Sequence, residues 1–331
     1  MIATVTLNPS LDEWMQLDSL QPGRLNRAHG FARYPGGKGI NVSRVVHELG
    51  GSTVAFGVAG GEDGLILREL LNRLAIRHAF VEIAGSTRNN YKIVTRRARA
   101  VTEINTDGPR VSAVALRALQ HRVLHWSPRP VCAALSGSLP PGAPARTYRR
   151  WIMRLRRQGV PVALDASGEA LRHGLAARPW LIKPNQEEAE ALVGHSLATH
   201  RRRVKAVREL ARRGAAIAIL SLGRDGALLG LRDSAIGLPR QGEVGLHEDA
   251  RGGVSVWWGR APVMRVDASV GAGDSLVGGF LASWARSRDV LEAFELGIAC
   301  GTATAMTPGT ELCHRRDVMR VLRRVTIRRV G

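Results

Sequence analysis

Val270-Gly271-Ala272-Gly273-Asp274-Ser275 sets small residues ahead of a carboxylate, just before an apolar stretch of helical character, Leu276 to Ala285. Small residues there let consecutive backbone N–H groups converge at a helix N-terminus, a place for the negative oxygens of a phosphoryl group in transfer. Beside such a cradle Asp274 can accept the proton of an attacking hydroxyl. The same residues also describe an ordinary Asp N-cap after a glycine turn. The motif therefore needs company.

Company is present in four other segments. Tyr34-Pro35-Gly36-Gly37-Lys38-Gly39-Ile40-Asn41-Val42-Ser43-Arg44 carries glycines and a lysine ahead of a second helix, a backbone bare enough to approach a polyhydroxyl or a phosphate. It is not a Walker A loop, because Gly39 follows Lys38 where Ser or Thr would hold Mg²⁺. Lys183-Pro184-Asn185-Gln186-Glu187-Glu188 follows an apolar strand, and the spacing of Asn185 and Glu188 puts both on one face of a starting helix. That face suits a hydrated Mg²⁺ held through oxygens and water, and it equally fits a capping box. Ser136-Gly137-Ser138-Leu139-Pro140-Pro141-Gly142 and Ser221-Leu222-Gly223-Arg224-Asp225-Gly226-Ala227 are turns after strand signals, each weak alone. Loops ending successive strands of one sheet converge on one edge, which is where open α/β sheets bind ligands.

The elements that must position these loops are legible as alternation. Short β-branched or apolar runs at Val131 to Leu135, Val160 to Asp165, Trp180 to Lys183 and Ala216 to Ser221 are separated by helical spacing at Ala145 to Gln158, Glu187 to Val193 and Arg201 to Arg213. This pattern predicts a parallel sheet covered by helices. Ser10 to Arg33 and Ser86 to Gly108 break the rhythm with alternating strand-like residues and form a small separate sheet in this reading. The glycine-rich stretch from Leu231 to Pro262, with Trp257 and Trp258, reads as a hairpin or long loop. With no internal repeat and no low-complexity linker, residues 1–331 are expected to form one domain with an excursion.

The chain has 331 residues, 44% of them hydrophobic, and a formal net charge of +20. Only four of its 48 basic residues are lysines: Lys38, Lys92, Lys183 and Lys205. Arginines spread over the whole chain read as a compositional bias rather than a nucleic-acid footprint. A lysine kept against that background marks a place where a compact ammonium is required. Cys132, Cys300 and Cys313 have no metal-ligand spacing and point to a reduced compartment. Met1 to Leu7 reads as a first strand and no run nears the length of a membrane span, so a soluble, cytoplasmic protein is expected.

Taken in this order, the segments resemble the ribokinase-like carbohydrate kinases of the pfkB family over nearly the whole chain. Thr6-Leu7-Asn8-Pro9-Ser10-Leu11-Asp12, Gly36 to Val42 and Thr102-Glu103-Ile104-Asn105 to Gly108-Pro109 look like 1-phosphofructokinases and tagatose-6-phosphate kinases. Asp165 to Leu171 and Gly309-Thr310-Glu311-Leu312-Cys313 look more like minor 6-phosphofructokinases. The resemblance implies a three-layer α/β/α sandwich with a mainly parallel central sheet and a small β-sheet lid, the excursion. It implies ATP and Mg²⁺ as cofactors and a homodimer formed through the lid.

Site roles follow from the same resemblance. Asp12 would bind sugar hydroxyls, accepting two O–H donors, with Gly37, Lys38 and Asn41 lining the same pocket. Arg88 would grip the substrate's existing phosphate, with Arg27 and Ser138 assisting. Lys183, Asn185 and Glu188 would serve the nucleotide phosphates and Mg²⁺, and Ser221, Gly223 and Gly226 would contact ATP. Gly271, Ala272 and Gly273 would stabilise the transferred phosphoryl group while Asp274 takes the hydroxyl proton. The implied reaction is phosphorylation of fructose 1-phosphate at C6, or of fructose 6-phosphate or tagatose 6-phosphate. A non-catalytic polyanion-binding protein, suggested by the charge, is the competing class, and neither nucleic acid nor membrane is the expected partner.

Overall fold

The computed structural model describes residues 1–96, 100–233, 253–262, 270–307 and 311–330. The chain opens with β1 (Ile2–Thr6) and leaves the main body for β2 (Ser10–Leu17) and β3 (Gly30–Gly36). It returns through α1 (Lys38–Glu48), β4 (Thr53–Ala59), α2 (Gly61–Arg73) and β5 (His78–Glu82), then departs again for β6 (Arg88–Thr95) and β7 (Ala100–Asn105). Next come α3 (Ala113–Leu124), β8 (Cys132–Ser136), α4 (Thr147–Arg157), β9 (Val162–Asp165), α5 (Gly168–Leu175), β10 (Leu181–Ile182), α6 (Gln186–Val193), α7 (His200–Arg213) and β11 (Ile217–Ser221). The described remainder is β12 (Ala227–Arg232), β13 (Val254–Arg260), α8 (Ala272–Ser287), α9 (Val290–Ala305), α10 (Arg315–Leu322) and β14 (Thr326–Arg329).

The central sheet runs β14-β13-β12-β11-β10-β9-β8-β1-β4-β5. It is parallel from β11 to β5 and antiparallel across β12, β13 and β14. Strands β1, β4 and β8 are buried along their whole length, because helices cover both faces. Side-chain alternation divides the core accordingly. Val5, Leu135 and Leu220 pack on one face with Tyr148, Trp151 and Leu155 of α4 and Val207 and Leu210 of α7. Ile2, Ile217 and Ile219 pack on the other with Val42 and Val45 of α1, Phe280 and Trp284 of α8 and Phe294 of α9. The layers are those expected, α/β/α with a mainly parallel sheet.

The excursions meet in a four-stranded sheet of order β3-β2-β6-β7, in which β2 and β6 are parallel. Strand β3 continues past Arg33 to Gly36, where a Cβ would stand 2.4 Å from Asp12 Oδ1, so only glycine lets the strand run this close to the carboxylate. Of the stretch expected as a hairpin or loop, residues 234–252 lie outside those described. Its two ends are strands of the central sheet. β12 and β13 pair antiparallel, and the arginine-rich tail adds β14 beyond them, with Arg328 stacked 4.4 Å over the Trp258 ring. The tail thus has a structural task, closing the sheet edge with a short, charged strand.

Helix α8 is held from two sides. A Cβ at Gly278 would fall 2.7 Å from Val45 of α1, and one at Gly279 would fall 2.5 Å from Cys300 Sγ of α9. Those glycines let three helices close on one another at the base of the Asp274 turn.

Candidate active site

Strands β8, β9, β10 and β11 are neighbours, and their carboxyl ends deliver Ser136, Asp165, Lys183 and Ser221 to one edge of the sheet. The start of α8 meets them there. Gly271 is its N-cap, in the left-handed region at φ 77°, and no side chain caps the first turn. The first N–H groups of a helix have no intrahelical partner, so those of Ala272 and Gly273 remain available to an anion. Lys183 adds a cation: its Nζ lies where a Cβ on Gly273 would be only 3.2 Å away. A helix N-terminus and a buried ammonium therefore converge on one spot.

Asp274 is buried, and its Oδ2 accepts a hydrogen bond of 2.8 Å from Asn41 Nδ2 of α1. Burial and, next, the negative charge of Asp165 push its carboxyl up to about 6, against the pull of Lys38, Asn41 and Lys183. Asp165 sits at the centre of a charge triad. Its Oδ1 receives Lys38 Nζ at 3.1 Å and lies 3.5 Å from Lys183 Nζ, while Oδ2 is buried without a partner among the described residues. Burial alone would raise the Asp165 carboxyl, but the two ammoniums overcome it and hold it below the usual range. Lys38 in turn is raised, first by Asp165. The arrangement is a carboxylate with weakened acidity beside two cations and a bare helix N-terminus. It can take a proton from a hydroxyl while the surrounding positive charge receives phosphoryl oxygens.

Similarity to known proteins bears on this geometry. The model of the pfkB family carbohydrate kinases matches residues 5–316. The 1-phosphofructokinase of Bacillus subtilis is 34% identical over 330 residues, covering 100% of both chains. The chain belongs to the pfkB family. The ATP-dependent 6-phosphofructokinase isozyme 2 of Mycobacterium tuberculosis is 33% identical, with 96% of this chain and 88% of that protein covered. Phosphofructokinase-2 of Escherichia coli, solved in complex with potassium, superposes with a TM-score of 0.85 at 31% identity over 97% of this chain and 98% of that one. A ribokinase from Thermotoga maritima shares the fold at a TM-score of 0.72, 19% identity, and coverage of 98% and 99%. The fold is ribokinase-like and the protein is a carbohydrate kinase.

The remaining candidate site residues of this pfkB kinase are placed unevenly. Gly37 is the N-cap of α1 at φ 107°, a conformation glycine tolerates, and a Cβ there would meet Thr6 at 2.7 Å. Asp12 faces the lid interior and is more occupied than its expected role requires. Its Oδ1 accepts from Ser10 Oγ at 2.9 Å and Asn90 Nδ2 at 3.1 Å, and its Oδ2 accepts from Lys92 Nζ at 3.0 Å. Three donors of the chain itself are thus already on a carboxylate with about four acceptor sites, which leaves room for one sugar hydroxyl where two were expected. Arg88 reaches Thr106 O at 2.7 Å and Asn8 O at 3.2 Å, and its buried Nε has no partner among the described residues. With Ser138 and Asn8 it lines a cavity of about 500 Å³. Arg27 is exposed on the β2–β3 connection, and no described contact joins it to Arg88 or Ser138.

Asn185 and Glu188 form the capping box of α6: Asn185 Oδ1 accepts from the Glu188 N–H at 2.8 Å and Glu188 Oε2 from the Asn185 N–H at 2.9 Å. The cap uses one carboxylate oxygen of Glu188, and the Glu188 charge still reaches the Lys38 ammonium. The Glu188 oxygen left outside the cap is a hard donor of the kind that fits a magnesium ion held through water. Ser221 packs on the same loop, its N–H donating to Pro184 O at 3.1 Å. Gly223 opens a short 3₁₀ turn that Gly226 closes, and a Cβ on Gly226 would lie 2.2 Å from Gly259 O. Trp258 Nε1 donates to Asp225 O at 2.9 Å and ties that turn to β13. The sequence motifs passed over Asp165, Lys92, Asn90 and Asn8 as site residues. A signal existed for Lys92, one of four lysines, and for Asp165, a carboxylate ending an apolar strand.

Proposed function

We propose that the chain is an ATP-dependent kinase that phosphorylates a hydroxyl of a ketohexose phosphate, foremost fructose 1-phosphate to fructose 1,6-bisphosphate. The observation that carries the reading is Asp274, buried at the bare N-terminus of α8 and pushed up to about 6, beside the Lys38–Asp165–Lys183 triad. Full-length coverage by a 1-phosphofructokinase favours the 1-phosphate. In this reading Asp274 takes the acceptor proton, and the N–H groups of Gly271 to Gly273 with Lys183 receive the oxygens of the transferred group. Asp12, Gly37, Lys38 and Asn41 bind the sugar, while Ser221, Gly223 and Gly226 hold the nucleotide. Asn185 and Glu188 would hold Mg²⁺ through water, and the ion supplies neutralisation of phosphate charge.

Arg88 carries the preference for a sugar that already bears a phosphate. Steady-state kinetics with ATP and Mg²⁺ are expected to give the highest kcat/KM for fructose 1-phosphate among fructose 1-phosphate, fructose 6-phosphate and tagatose 6-phosphate. In Arg88→Ala the KM for the sugar phosphate is expected to rise by about tenfold to 100-fold, the loss of a charge-assisted phosphate contact, while the KM for ATP stays put. An unchanged sugar KM would remove Arg88 from the phosphate grip. A 6-phosphofructokinase is the second reading, favoured by the relative of that activity, and the same panel decides between them.

The lid is the proposed dimer surface. Phe31 pairs with Met15 and Met15 with Ile93, while Ile104 pairs with Tyr91, so Phe31 and Ile104 share one sheet face. They are 56% and 50% exposed, and Leu25 on the adjoining connection is 81% exposed, more apolar surface than a lone lid needs. Sedimentation equilibrium is expected to give a dimer, and Phe31→Asp a monomer.

A further inference from the structure

Lys92 stands apart from the motifs. It is one of four lysines among 48 basic residues, its side chain is 6% exposed, and its ammonium lies 3.0 Å from Asp12 Oδ2. A buried ion pair is a poor device for stability, since desolvating two charges costs several kcal/mol that an apolar pair of similar volume avoids. What the pair does to Asp12 is more informative. Ser10 and Asn90 together fill both lone pairs of Oδ1. Among the described residues Lys92 is the hydrogen-bond donor to Oδ2, which leaves one lone pair there. Gly36 closes the Oδ1 side, since even a Cβ would come within 2.4 Å of that atom. Arg44 and Arg88 also bear on Asp12 electrostatically, so the carboxylate is set among three cations from β6 and α1. A lysine at 92 contributes one compact donor, whereas a guanidinium fork would claim a carboxylate edge.

We propose that Lys92 is a positioning residue for the acceptor sugar: it occupies one lone pair of Asp12 Oδ2 and leaves a single open acceptor, which fixes which hydroxyl the carboxylate holds. The inference rests on the reading of Asp12 as a sugar-binding residue and deepens it from general contact to stereochemical choice. A carboxylate with one open lone pair, held rigid by three donors, accepts a hydroxyl from one direction only. Epimers that point the hydroxyl elsewhere lose the bond and leave a buried acceptor unpaired, the situation in which polar sites discriminate most strongly.

The test compares the full-length wild type with Lys92→Met and Lys92→Gln, using ATP, Mg²⁺, the preferred ketohexose phosphate and its ring-hydroxyl epimers. Lys92→Met is expected to raise the sugar KM by about tenfold or more and to shrink the epimer preference by a similar factor, with the ATP KM within about twofold. Lys92→Gln, which still donates one hydrogen bond to Oδ2, is expected to restore most of the epimer preference. It also carries the test should Lys92→Met not fold. An unchanged sugar KM and epimer preference in both variants overturns the proposal, as does a rise in both substrate constants together. If the wild type turns over no ketohexose phosphate, the functional reading itself falls, a result distinct from any of these.

Discussion

Asp274→Asn is expected to lower kcat by about 100-fold to 10,000-fold, the usual loss when a general base is removed, with the KM values for both substrates little changed. The amide keeps the shape and can still accept the Asn41 hydrogen bond, but it cannot take a proton. Wild-type activity is expected to fall about tenfold per pH unit below the pH where Asp274 protonates, about 6, because only the ionised form is a base. The residual activity of the variant is expected to lack that acid limb. A variant that retained near wild-type kcat, or kept the limb, would remove Asp274 as the base. Stability runs the other way. The folded-state carboxyl is raised above its ordinary 3.8, so the neutral form suits the folded state and the stability it contributes is lost as pH rises through about 6. At pH 8 the asparagine variant is therefore expected to unfold with on the order of 3 kcal/mol more free energy than the wild type, and at pH 4 with little difference. A site that pays stability to keep a charge buried is a site kept for chemistry.

Much of this was legible in the sequence because strand-to-helix turns at a sheet edge carry local signals. Gly271 and Gly37 adopt backbone conformations that only glycine takes easily, and both announced themselves as glycine runs before apolar helices. Asn185 and Glu188 were equally readable, and their local reading as a capping box is realised. Asp165 was legible only as a carboxylate ending an apolar strand, not as the partner of two lysines. Its meaning comes from Lys38, 127 residues away on α1, and Lys183, just after β10, and no local spacing encodes that meeting. Lys92 and Asp12 likewise meet on adjacent strands of the lid, β6 and β2, 80 residues apart. The edge strand β14 escaped for another reason. Most of β14 is solvent-facing, so it lacks the apolar run that revealed the buried strands, and an arginine-rich tail does not look like a strand. The part of the Gly309-Thr310-Glu311 motif before Glu311 lies outside the described residues.

The triad supplies the second large effect. Asp165→Asn is expected to destabilise the fold by about 3 kcal/mol in chemical denaturation, the lower end for a broken buried pair because the Lys38 side chain stays 37% exposed. The physical cause is that two ammoniums would face each other with no compensating carboxylate between them. Catalysis is expected to change in a direction set by the same charges. After burial, Asp165 is the largest influence raising Asp274, so removing its charge and leaving Lys38 and Lys183 unopposed lowers the Asp274 carboxyl. The acid limb of the pH profile should then move below about 6, and the plateau rate should drop because a more acidic carboxyl is a weaker base. The shift of the limb separates this from simple structural damage, which would lower the plateau and leave the limb where it was. Unchanged stability together with an unmoved limb would mean that Lys38 and Lys183 find other counter-charges, and the triad would lose its place as the electrostatic setting of the base. A shifted limb would show that a residue whose partners lie far off in the linear sequence sets how strong a base Asp274 is.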